Sequence, residues 1–64
     1  MDILDLDKLV GLVQTEAIAR AEDAGFRTHI VRRDKENFGG TGNYRIDRLN
    51  FEIDNGKVTK AWIG

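Results

Sequence analysis

The chain has 64 residues, of which 41% are hydrophobic and 33% charged, with a formal net charge of −1, one histidine, and neither cysteine nor proline. One domain spanning residues 1–64 is the expectation, with a core only just large enough for folding, and the cysteine and histidine counts exclude a disulfide framework or a structural metal site. The near-neutral charge argues against a dedicated nucleic-acid binder, and no apolar run approaches the roughly 18 residues of a membrane span, so neither nucleic acid nor membrane is an expected partner.

At the N-terminus, Met1-Asp2-Ile3-Leu4-Asp5 has acids where a signal peptide has bases, and a cytoplasmic location follows as the expectation. From there Leu6, Leu9, Val10, Val13, Ala17, Ala21 and Ala24 recur at helical spacing, with Lys8, Gln14, Arg20 and Glu22 largely off the stripe. This is an amphipathic helix, with Asp5 or Asp7 to cap its start and Gly25 at its end. Periodicity permits a start at Asp7, because a glycine inside a helix, here Gly11, costs only about 1 kcal/mol relative to alanine.

Residues 26–33 are rich in β-branched and aromatic side chains and read as a first strand, ended by the polar run Arg33-Asp34-Lys35-Glu36-Asn37. A second strand over residues 44–54 alternates Leu49, Phe51 and Ile53 against Arg48, Asn50 and Glu52. Ile46 has the wrong parity for Leu49, which implies a twist or bulge near Asp47. Asn55-Gly56 is the strongest hairpin signal, since both residues tolerate the positive φ of a type I′ turn, and residues 57–63 form the third strand. Pairing outward from that turn sets Ile53 opposite Val58, Phe51 opposite Lys60 and Leu49 opposite Trp62, whose ring then closes the core against the helix. The expected core is Leu49, Phe51, Ile53, Trp62, Val13, Ala17 and Ile30. The fold class is α+β: a single helix packed on a small three-stranded mixed sheet, with an extended loop between the first two strands.

No catalytic constellation is visible, so the chain is not read as an enzyme and no cofactor or metal is expected. His29 has no catalytic partner in sequence and reads as a strand histidine at a surface or edge. Asp47 and Glu52 read as solvated charges or ion-pair partners. Gly39-Gly40-Thr41-Gly42 lacks the Gly-Lys-Ser/Thr ending and following helix of a phosphate loop, and precedes a strand where the Gly-x-x-Gly of a KH module joins two helices. The basic residues Arg27, Arg32, Arg33 and Lys35 are interrupted by Asp34 and Glu36 and read as a solvated strand end.

The informative stretch is Gly39-Gly40-Thr41-Gly42-Asn43-Tyr44-Arg45-Ile46-Asp47-Arg48-Leu49-Asn50, a glycine-rich loop running directly into an arginine-bearing strand. Its segment from Thr41 to Arg48 resembles the reactive loop and following strand of the potato inhibitor I family. Leu9-Val10-Gly11 with Glu16-Ala17 is similar to that family's helix entry, and Ile63-Gly64 to its terminal Val-Gly. The Arg48-Leu49-Asn50 variant is similar to related small bacterial peptidase inhibitors. The resemblance covers the chain from about Leu9 to Gly64 and moves the helix start to about Val13, after a looser turn. It implies a serine protease inhibitor with residues Gly39, Gly40, Thr41, Gly42, Asn43 and Tyr44 as its reactive or contact loop and Arg48, Asn50 and Gly64 as loop support. It implies a protein partner, a subtilisin- or chymotrypsin-like protease, bound by a monomer or a homodimer. Gly42 falls at the family's specificity position and Asn43 at that of the following acid. The approach to the loop is about two residues longer than in the family, which makes Phe38 an alternative anchor. On these departures a non-inhibitory protein-binding module on the same scaffold is the rival reading.

Overall fold

The computed structural model of this protein describes residues 5–40 and 42–64. The chain opens with a 3₁₀ turn, Leu6–Lys8, in which an Asp5 carboxylate oxygen accepts from the Asp7 N–H at 3.1 Å. The helix α1 spans Gln14–Asp23 with Val13 as its N-cap residue. The later of the two starts that the sequence allowed is therefore the one adopted. Gly11 sits at φ 94°, outside the helical region, and the backbone around it pairs with the last strand: Gly11 N–H to Val58 C=O at 2.8 Å and Val58 N–H to Leu12 C=O at 2.9 Å. Those bonds replace the ones a helix from Asp7 would have made.

The helix ends in a Schellman motif, with Gly25 at φ 92°, its N–H on Glu22 C=O at 2.9 Å and the Phe26 N–H on Ala21 C=O at 3.0 Å. That sharp turn delivers Phe26 into the core and starts β1, Arg27–Arg33. After β1 come β2, Glu36–Asn37; β3, Arg48–Asp54; and β4, Lys57–Ile63. The sheet is mixed, in the order β2-β1-β3-β4, with β1 and β3 parallel and the other pairs antiparallel. It has four strands instead of three. The polar run after β1 folds back as a short hairpin, with Arg33 paired to Glu36 and Asp34 at φ 54° in the turn. Two polar residues carry no alternation, so nothing in the pattern marked β2.

Asn55 and Gly56, at φ 53° and 78°, form the two-residue turn between β3 and β4. Ile53 pairs with Val58 as the turn dictates, but the register then shifts by one residue at Thr59. Phe51 thus lies opposite Ala61, not Lys60, and Leu49 opposite Ile63, not Trp62. Trp62 pairs with Asn50 on the other face of the sheet, so it does not close the core. A single inserted residue reverses every side chain beyond it.

The core consists of Leu9, Ala17, Ala21, Ala24, Phe26, Leu49, Phe51, Ile53 and Val58, with Ile30 partly buried against it. Alanines on the inner face of α1 let the helix lie close to the sheet, against β1 and β4, and each larger buried side chain contributes roughly 1.5–3 kcal/mol. Val13, expected inside, is 47% exposed, because as the cap residue it precedes the first helical turn. The second strand begins at Arg48, not Tyr44. Ile46 and Asp47 form a turn ahead of it, with the Arg48 N–H 3.4 Å from Arg45 C=O, and Ile46 is 70% exposed. Its parity conflict is resolved by its lying outside the sheet, with no bulge there. Among the described residues no helix is long and apolar enough to cross a membrane.

Candidate functional site

Because β1 and β3 are parallel, the chain must travel from the end of β1 back to the start of β3, and β2 with residues 38–47 makes that return. Helix α1 covers one face of the sheet. The opposite face carries Arg48, Asn50 and Trp62, and there the returning segment is fastened. The Arg48 side chain does most of this. The residue is only 9% exposed; its Nε donates to the Gly64 C=O at 2.8 Å, its Nη2 to the Asn43 C=O, and both Nη atoms lie 3.4 Å from Asn43 Oδ1. One planar guanidinium with donors in a fixed fork thus joins the loop to the end of β4.

Gly64 is held from three directions, since its N–H donates to Arg48 C=O at 3.0 Å and Asn50 Nδ2 donates to its C=O at 3.2 Å. Asn50, almost fully buried, reaches Gly64, so among the described residues the loop is braced by Arg48 directly and by Asn50 through Gly64. Further along the return, Arg27 N–H bonds Asp47 C=O at 2.7 Å and the two side chains approach to 3.6 Å.

The entry to the loop is fixed as well. Phe38 N–H donates to Val31 C=O at 2.8 Å, Gly39 N–H to Asn37 Oδ1 at 2.8 Å, and His29 Nε2 lies 3.0 Å from Gly39 C=O. Phe38 is half exposed, with the Arg33 guanidinium 5.9 Å from its ring centre. His29 lies in β1, an inner strand, and is partly buried with its ring facing the loop, so it is neither at the surface nor on an edge strand as its sequence context suggested. The signal was out of reach, because only the parallel register that sets His29 beside Asn50 places it on the Arg48 face.

Between loop and sheet lies a cavity of about 340 Å³, with Gly42 and Tyr44 above and Val31, Asn50, Trp62 and Gly64 below. Tyr44 is 71% exposed, and an added Cβ at Gly40 or Gly42 would meet nothing within 4 Å. Gly42 has φ 78°, a left-handed conformation in place of the extended one implied for a specificity position. Thr41, assigned to the contact loop by resemblance, lies outside the described residues. Among the described residues no group of three or more His, Cys, Asp or Glu could hold a metal ion. Asp47 and Glu52 are ion-pair partners of Arg27 and Arg32. Compared with models of known families, with curated proteins and with solved structures, the chain matches none.

Proposed function

We propose that this domain is a serine-protease-inhibitor-like binder that presents residues 39–44 to a protein partner, a subtilisin- or chymotrypsin-like protease. The observation that carries the reading is the buried Arg48, which ties Asn43 in the loop to Gly64 at the end of β4. A loop held before the encounter loses little conformational entropy on binding, and a cleaved loop with both ends anchored stays in register. The run Thr41 to Arg48, with its resemblance to the potato inhibitor I family, supports the same reading.

Gly42 supplies no pocket-filling side chain, and a leucine-sized group there is worth roughly 1.5–3 kcal/mol when buried. An L-residue at its φ of 78° is strained by about 1–2 kcal/mol, which offsets part of that gain. The native domain is expected to inhibit subtilisin and chymotrypsin weakly, and Gly42→Leu by about tenfold or more better, measured as inhibition constants. A variant that is cut as an ordinary substrate, with no stable complex at micromolar protein, sinks the proposal. The non-inhibitory binding module then takes its place, a reading favoured by the left-handed Gly42 and by the exposed apolar area of Tyr44 at the loop's end and Ile46 just past it.

A further inference from the structure

We infer that His29 is a positioning residue for the loop, fixing its entry at Gly39 as Arg48 fixes its exit at Asn43. The inference rests on the loop-presenting reading above but not on the partner being a protease.

The contact has a defined polarity. A carbonyl oxygen only accepts, so at 3.0 Å from Gly39 C=O the His29 Nε2 must carry a proton, and in the neutral ring this selects the Nε2–H tautomer. In register, His29 stands beside Asn50, two residues along β3 from Arg48, which places both loop-holding side chains on the same sheet face. Gly39 is thereby held on both sides, its N–H on the Asn37 side chain and its C=O on His29.

Anchors matter here because the loop is rich in glycine. Among the described residues, a cavity of about 340 Å³ lies between Gly42 and Tyr44 of the loop and Asn50 and Trp62 of the sheet. Gly39 and Gly42 both sit at positive φ, and glycines widen the conformations a free loop can sample. Hydrogen bonds at Gly39 and Asn43 restrain that freedom at the two ends of the segment.

Three readouts on the intact domain test this. Imidazole ¹⁵N shifts of the native protein should show the Nε2–H tautomer. His29→Ala should speed cleavage within residues 39–44 by thermolysin, a metalloprotease outside the proposed target class, by about three- to tenfold, the effect of one lost hydrogen bond on a local opening equilibrium. His29→Gln, which keeps a donor near the Nε2 position, should restore most of the native rate, and amide exchange in β3 should match the native protein in both variants. An Nδ1–H tautomer, an unchanged cleavage rate in His29→Ala, or a loss of β3 protection in step with the loop would each overturn the assignment, the last by making His29 a residue of the fold. If His29→Ala frees the loop while the native domain inhibits no serine protease, the anchor stands and the inhibitor reading falls.

Discussion

Arg48 shows how much a single side chain carries at the loop. Its donors are divided between two carbonyl oxygens that belong to different parts of the chain, and hydrogen bonds from a charged donor are each worth about 1.5–3 kcal/mol. The oxygens it serves lie on the face away from the helix, so their loss leaves the apolar layer of Leu49, Phe51 and Ile53 in place. Arg48→Ala is therefore expected to mobilise residues 39–44 while β3 keeps its exchange protection. Arg48→Lys should rescue little, since one ammonium cannot span two acceptors in a fixed fork. Amide relaxation decides it: loop order parameters unchanged in Arg48→Ala would remove the support role.

At the level of elements, the sequence announced those with a strong local cause. The apolar stripe ending at Gly25 marked the helix, and Asn55-Gly56 marked the β3–β4 hairpin, because both need a backbone conformation that few residues adopt. Gly25→Ala should accordingly destabilise the domain by about 1–2 kcal/mol, seen as a lower urea midpoint at unchanged slope, since alanine must be forced to φ 92°. An unchanged midpoint would mean that another cap forms. What stayed hidden depends on partners distant in sequence. Thr59 is slipped out of register by pairing that no residue type signals, and the slip moved Trp62 from the expected core to the loop face. The same holds for the candidate site: the sequence pointed to the glycine loop and Arg48 by resemblance, whereas the contact of His29 with Gly39 depends on the parallel register of β1 and β3.

For the whole molecule, the two ends of the sheet are secured by different means. At the Arg48 end, one cation gathers the main-chain oxygens of Asn43 and Gly64. At the hairpin end, Arg32 holds the Asp54 carboxylate through two bonds of 2.7 and 2.8 Å, Glu52 at 3.0 Å and the Asp34 C=O at 2.7 Å, while the Thr59 hydroxyl donates to Asp54 at 2.7 Å. This network links β1, β3, β4 and the turn after β1. Arg32 and then Thr59 stabilise the ionised form of Asp54 and lower its pKa from 3.8 to about 2. A folded-state pKa below the unfolded one means that Asp54 stabilises the fold above pH of about 4, and that this contribution fades as pH falls toward about 2. Asp54→Asn should thus be less stable than the native protein at pH 7, and the difference should narrow steadily between those two pH values, because protonation removes from the native protein the charge the variant never had. Urea denaturation of both proteins across that range measures it. A gap that stays constant with pH would show that Asp54 acts through its geometry alone, and that the acid sensitivity of the domain arises from other carboxylates.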